Sequence, residues 1–345
     1  MKKIAAKITD THLGDKNTEL VYNIFEQLVE KMVGEKINTL FHLGDWFTSR
    51  KGQSLEVLTT SFKILRLLQS NDINLFIIPG NHDKVDLDSI ISFLDVFSFC
   101  DRVSVIRVCD IVRIDGVSVT MLPYFKEDEE YPKQLSGVLK KISPKETNVL
   151  MTHIAVTGVK NNDGSEVTNS LSKNSFKAFK KVYVGHYHNR SKFGNIEYIG
   201  SAYQANFGED NEKGFSWLLE DGGSEFVKLD FPEFVKLNIS VDEMNTDQAF
   251  SELLGIVADN KGGNTRITIV GDQSKLKSFN KGKLTDIGVE VCYSEVEITA
   301  QAELPEIKTF DKSTILSTFE NYCEVNNVDK KNSNYIKEKI VKCII

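Results

Sequence analysis

The chain has 345 residues, 41% hydrophobic and 26% charged, an ordinary globular balance that excludes a fibrous or largely disordered protein. Its 42 Lys and Arg against 49 Asp and Glu give a formal charge of -7, which argues against a protein that coats nucleic acid through global positive charge but leaves room for a nuclease with local basic groups. No apolar run approaches the roughly 18 residues of a membrane span, no secretory signal is visible, and five scattered cysteines without a C-x-x-C pair point to a reduced, cytoplasmic setting.

Apolar periodicity predicts a strand over residues 4–8 and a helix over 19–33, where Leu20, Ile24, Leu28 and Met32 recur at helical spacing. A second strand is expected over 37–43. A helix over 55–68 would place Leu58, Phe62, Leu65 and Leu68 on one side, and a third strand over 73–78 runs into Pro79 and Gly80. This βαβαβ alternation predicts an α/β sheet with crossover helices. Short strands follow at 103–108, 111–114 and 117–122, with Asp115-Gly116 as a hairpin turn, then at 149–152, 182–184, 196–199 and 215–219. They call for a mixed sheet, or two sheets packed face to face with outer helices.

Pro232 interrupts the pattern, so a first domain is expected over 1–232 and a small α/β domain over 233–303. The latter would contain a helix over 247–258, strands over 266–270 and 289–298, and a short helix over 275–279. A linker containing Pro305 leads to a helical pair over 309–345. There Ile315, Phe319 and Tyr322 share one face, and Ile336, Ile340 and Ile344 another.

All six histidines precede residue 189, and most sit at the ends of expected strands in polar motifs: Asp10-Thr11-His12, Gly44-Asp45, Gly80-Asn81-His82-Asp83, Thr152-His153 and Gly185-His186-Tyr187-His188. Carboxylate, imidazole and amide oxygen together suit divalent metals such as Mn, Fe or Zn. Strand ends on one rim of a sheet can bring such residues to a point, and the neighbouring glycines permit tight turns. Two metals about 4 Å apart can activate water and polarise a phosphoryl oxygen. One carboxylate must bridge them, and Asp45 is the natural candidate. His42 lies inside a strand and suits a buried supporting role.

The joint pattern resembles the calcineurin-like metallophosphoesterases. Within them it is similar to the nuclease subunits of SbcCD-type double-strand-break repair complexes (the SbcD family), T4-type phage recombination endonuclease subunits above all. Thr11-His12-Leu13-Gly14, Gly44-Asp45-Trp46-Phe47, Tyr198-Ile199-Gly200-Ser201 and the stretch 207–215 carry that likeness, which covers residues 1 to about 230.

The resemblance implies a metallophosphoesterase sandwich of mixed β-sheets flanked by helices, with a capping domain. Asp10, His12 and His188 would hold one metal; Asn81, His153 and His186 would complete the second; Asp45 would bridge; and manganese would be the usual ion. His82 would stabilise the scissile phosphate and protonate the leaving oxygen, with Asp83 orienting it. Where relatives often carry a His or Asp three positions after the bridging Asp, this chain has Thr48.

The implied reaction is hydrolysis of DNA phosphodiesters, exonucleolytic or endonucleolytic. Arg50, Lys51, Lys160, Arg190 and Lys192 are candidates for contacts to flanking phosphates, which would position DNA without reading its sequence. The C-terminal helices would dock on an SMC-like ATPase, and relatives form homodimers. The competing readings are a phosphoesterase acting on a small phosphodiester or phosphoprotein, and a DNA-end-binding scaffold with weak catalysis. Host cytoplasm is the expected location if the chain is phage-encoded.

Overall fold

The computed structural model describes residues 1–295 except 88, 160–165, 170, 241–245, 261–262, 272–275, 278–281 and 287, together with Phe319 and Lys337. Residues 1–295 form one compact unit. The first sheet takes β1 (Lys3–Ile8), β2 (Thr39–His42), β3 (Asn74–Ile77) and β4 (Val103–Val105) as parallel neighbours. The crossovers from β1 to β2 and from β2 to β3 are α1 (Thr18–Gly34) and α2 (Leu55–Ser70).

Val21, Ile24, Phe25, Leu28, Val29 and Met32 of α1 turn onto the sheet at spacings of three and four, as the periodicity predicted. In α2 the buried stripe is Val57, Ser61, Ile64, Leu65 and Leu68, and Phe62 is 40% exposed, so the apolar face is rotated from the predicted one. The Trp46 indole N–H donates to the Ser61 hydroxyl at 3.1 Å, which lets a polar residue occupy the inner face. Ser54 caps this helix by accepting from the Val57 N–H at 3.2 Å.

The second sheet has the order β5 (Asp110–Ile114), β6 (Val117–Leu122), β7 (Thr147–His153), β8 (Lys181–Gly185), β10 (Ile196–Tyr198), β9 (Ser191–Phe193). Strands β6, β7, β8 and β10 are parallel. The β5–β6 hairpin turns at Asp115 and Gly116, with φ of 45° and 82°, where the sequence placed it. Returning chain in β11 (Gly214–Leu219) and β12 (Ser224–Lys228) adds antiparallel strands beside β1. The two sheets pack face to face through a core that joins Phe41, Leu43 and Leu218 to Val119, Met151 and Tyr183.

A third sheet, β13 (Phe234–Ser240), β14 (Asn264–Gly271) and β15 (Glu290–Glu295), is wholly parallel, with a helix at Thr246–Asp259 and a core of its own around Leu253, Ile267 and Ile269. Strands β9, β12 and β13 and the helix α3 (Glu130–Leu139) are additions to the sequence prediction. The small sheet has a hydrophobic cluster of its own and falls within the same compact unit as the sandwich. The helical pair expected over 309–345, with Ile315, Tyr322, Ile336, Ile340 and Ile344, lies outside the described residues; Phe319 is helical and half-buried. Among the described residues no helix is long and apolar enough to cross a membrane.

Candidate metal centre

Five parallel strands end on one rim, and the turns after them carry the polar motifs. Asp10 and His12 follow β1, Asp45 follows β2, Asn81 and His82 follow β3, His153 closes β7, and His186 and His188 follow β8. Backbone bonds across the rim fix the turns: Asp10 N–H donates to Gly44 O and His12 N–H to Asp45 O, each at 3.0 Å. Asp10, His12, Asp45 and His186 sit at φ of 51°, 41°, 54° and 84°, a left-handed backbone that non-glycine residues adopt at a cost. Four residues so placed in one cluster mark a site that the surrounding packing over-determines. A Cβ on Gly80 would run into the Asp45 carboxylate and backbone, so only glycine admits this close approach.

Two ligand groups result. Asp10, His12 and His188 form one, Asp45, His153 and His186 the other, with the ligand atoms within each group lying inside 4.8 Å of one another. His12 Nε2 and His188 Nε2 face each other at 3.0 Å, and Asp10 Oδ1 stands 3.8 Å and 3.9 Å from them. In the second group Asn81 Oδ1 lies 3.1 Å from His153 Nε2 and 3.0 Å from His186 Nδ1. Asp45 Oδ2 is 3.7 Å from His12 Nε2 and 3.3 Å from His153 Nε2, which sets it between the groups. All seven residues assigned as ligands therefore meet. Converging imidazole lone pairs and carboxylate oxygens on a half-buried floor are a donor set that fits two divalent cations of the Mn, Fe or Zn type.

The electrostatics reflect how closely these groups crowd one another. Burial would raise the Asp45 carboxyl, but the charge and hydrogen bond of His153, with His12 and His82 nearby, hold it well below the carboxylate range. Burial depresses His153, yet Asp45 and Asp10 outweigh it and lift the ring to about 9. His186 is driven down to about 4 by burial and by the charge of His153. Protons and cations compete for these nitrogens. His153 Nδ1 is bound to Leu43 O at 2.8 Å; a carbonyl only accepts, so Nδ1 carries the hydrogen and Nε2 faces the centre.

His42 is buried outside both groups, bonded to the Thr11 hydroxyl at 3.0 Å and held neutral by burial, which drops it to about 3.

His82 stands beside the ligands, its ring 4.9 Å from that of His12 and edge-on to it. Its Nδ1 donates to the Thr48 carbonyl at 2.7 Å, leaving Nε2 as the ring's other working atom. The orienting partner is therefore the Thr48 backbone and not Asp83. Asp83 is fully buried and points the other way, accepting from Phe47 N–H at 3.0 Å and Gly80 N–H at 2.9 Å. It clips the two ligand turns together, and burial with the nearby Asp45 charge raises it to about 7.

The centre opens into a cleft of about 810 Å³ lined by His12, Lys16, Thr48, Asn81, His82, Tyr203 and, from the third sheet, Phe234 and Asn264. Arg50 and Lys51 are exposed on the loop after β2. Arg190 is not available to a phosphate. Its guanidinium bonds Ile199 O at 3.0 Å and Glu197 at 3.3 Å and stacks on Phe226 at 3.9 Å. Lys192 is paired with Glu197 at 3.1 Å but stays largely exposed, and Lys160 lies outside the described residues.

Three supporting residues escaped the sequence reading. Asn17 donates to His12 O at 2.9 Å, and Tyr203 donates to Thr11 O at 3.0 Å, tying down the first ligand turn. Glu209 accepts from His188 Nδ1 at 2.8 Å. The 207–215 stretch had stood out as a motif, but nothing in it tied Glu209 to His188.

A family model described as calcineurin-like phosphoesterase matches residues 6–190, which span every ligand. Exonuclease subunit 1 of Enterobacteria phage T4 is 23% identical over 265 residues, covering 69% of this chain and 76% of that protein. The DNA double-strand break repair protein Mre11 of Saccharolobus solfataricus is 28% identical over 192 residues, 53% of this chain, which spans about half (49%) of that relative. Its namesake from Methanocaldococcus jannaschii is 23% identical over 274 residues, covering 71% of this chain and 72% of the relative. With two histidine and carboxylate groups on the rim of a two-sheet sandwich and a family match over more than half its length, the chain belongs to the calcineurin-like phosphoesterases.

Proposed function

We propose that the protein is a metal-dependent DNA nuclease, the nuclease subunit of an SbcCD-like repair or recombination complex. The observation that carries this reading is the Asp45 carboxylate set between two ligand groups at the floor of an open cleft. The names of the relatives, an exonuclease subunit and a double-strand break repair protein, supply the substrate class.

Asp10, His12 and His188 would hold one ion, and Asn81, His153 and His186 the other, with Asp45 shared; manganese is the ion we assign. The ions would supply Lewis acidity toward a phosphoryl oxygen and a nucleophilic water. His82 supplies the proton. With Nδ1–H fixed on Thr48 O, Nε2 is the atom left to offer a proton into the cleft that His82 lines. As the water oxygen bonds to phosphorus and releases a proton to solvent, the ester bond breaks and the Nε2 proton passes to the leaving sugar oxygen, to be replaced from solvent while Nδ1 stays on the same carbonyl.

Arg50 and Lys51, joined by Lys16 at the cleft, are proposed to hold flanking phosphates. The third sheet, whose Phe234 and Asn264 line the cleft, would govern which DNA ends enter. The segment 309–345, with Ile315, Phe319, Tyr322, Ile336, Ile340 and Ile344, is proposed to dock on an SMC-like ATPase. A homodimer is proposed through the exposed apolar side chains Phe62, Ile91, Val96 and Phe99, which are 40%, 68%, 47% and 93% exposed.

The test is cleavage of end-labelled single- and double-stranded DNA with manganese by the wild type, His82→Ala and Asp45→Ala. Cleavage by the wild type that both variants lose is the expected result. A wild type that spares DNA, with or without its ATPase, while hydrolysing small phosphodiesters would move the assignment to a small-molecule phosphoesterase. Inactivity on both would move it to a scaffold.

A further inference from the structure

We propose that Glu209 is a positioning residue that fixes the His188 ring so that Nε2 faces the first cation position, an inference that rests on the metal-centre reading above. The Glu209 side chain has no solvent exposure, and its carboxylate is bonded at both oxygens. Oε1 accepts from His188 Nδ1 and from Asn206 Nδ2, each at 2.8 Å. Oε2 accepts from Ala205 N–H at 3.1 Å and stands 3.5 Å from the Lys213 ammonium.

A carboxylate only accepts, so His188 Nδ1 must carry its hydrogen and the neutral ring offers its lone pair at Nε2. Lys213 grips the same residue from behind, donating to His188 O at 2.6 Å and to Asn189 Oδ1 at 2.9 Å. Ring and backbone of His188 are thus held by one short loop, 21 residues downstream of the ligand.

The two cation positions differ accordingly. His153 leans on a neutral carbonyl, that of Leu43, whereas His188 leans on a carboxylate. A carboxylate behind an imidazole raises its basicity as a ligand and locks its orientation. Loss of Glu209 should therefore weaken one position and spare the other. In Glu209→Gln the amide NH₂ has no acceptable direction: toward Oε2's place it meets Ala205 N–H and Lys213, and toward Oε1's place it meets His188 and Asn206. Turned to His188, it forces the hydrogen onto Nε2, where it blocks the cation.

The measurement is manganese binding to the full chain by calorimetry, with free ion followed by electron paramagnetic resonance. The wild type should take two ions. Glu209→Gln should bind one as the wild type does and the other 10–100-fold more weakly. In a His188→Ala background the same substitution should add nothing. Unchanged affinity at both positions, or an additive loss beside His188→Ala, overturns the assignment. Should Glu209→Gln not fold, Glu209→Asp keeps the charge and shortens the reach by one methylene; it should show the same one-sided weakening, and two wild-type affinities there also overturn it. A wild type that takes no ion defeats the metal-centre reading itself.

Discussion

Lys7 stands in β1, three residues before the first ligand, with no exposed surface, between the two sheets whose spacing lets the ligands meet. Its ammonium donates to Trp217 O at 2.9 Å and Ser224 Oγ at 2.7 Å and lies 4.0 Å over the Tyr183 ring of the opposite sheet. Burial, partly offset by Glu197 and reinforced by Arg190 and Lys192, lowers it from 10.5 to about 7. At about 1.4 kcal/mol per pH unit, that displacement corresponds to roughly 5 kcal/mol.

The folded chain holds this proton less tightly than the unfolded one. Between about pH 7 and 10.5 the unfolded chain therefore binds more protons, and stability rises with pH; below that window both states are protonated and the cost is present in full. In Lys7→Met the lost hydrogen bonds cost the same at every pH, so only the charge changes the difference between variant and wild type. Urea unfolding at pH 6 and pH 9 should show the wild type gaining about 3 kcal/mol on Lys7→Met across that interval. A difference constant to within about 1 kcal/mol would refute a charged, desolvated lysine between the sheets.

His82→Ala should lower DNA cleavage about 10²–10⁴-fold while two manganese ions still bind with wild-type affinity by calorimetry; loss of an ion would place His82 among the ligands. Gly80→Ala drives a Cβ against Asp45 and should cost about 1–3 kcal/mol in urea melts and weaken metal binding; a neutral substitution would disprove the close approach. Arg190→Ala should destabilise by about 1–3 kcal/mol with no change in the salt dependence of DNA binding, whereas Arg50→Ala and Lys51→Ala should each reduce the salt slope by about one with stability intact. The reverse pattern would return Arg190 to the DNA.

The meeting of the candidate ligands was legible because their chemistry is confined to a few side-chain types at the ends of apolar runs, and strand ends on one rim converge. Side-chain direction was not. Asp83 adjoins His82 in sequence, yet the turn sends its carboxylate to the Phe47 and Gly80 amides on the opposite side. Arg190 follows His188 by two residues, but it stands at the start of the β9–β10 hairpin, where Glu197 on β10 claims it. Glu209 occupies a loop whose path no periodicity encodes, so its meeting with His188 depends on tertiary placement alone. Helix α3 was hidden by Pro132, Gly137 and a charged first turn, a composition that reads as loop. In β13 the half-buried residues of Phe234–Ser240 do alternate weakly, but Pro232 just before them reads as a boundary.

The ligands are divided between the sheets. The first sheet brings Asp10, His12, Asp45 and Asn81; the second brings His153, His186 and His188. Neither ligand group is complete on one sheet, since the first needs His188 and the second needs His153 and His186. Capture of ions by these groups would therefore come late in the life of a nascent chain, after β8 has been made and docked. Until then the polypeptide has no closed cage for a cation, and ions held there afterwards would bind the two sheets to each other.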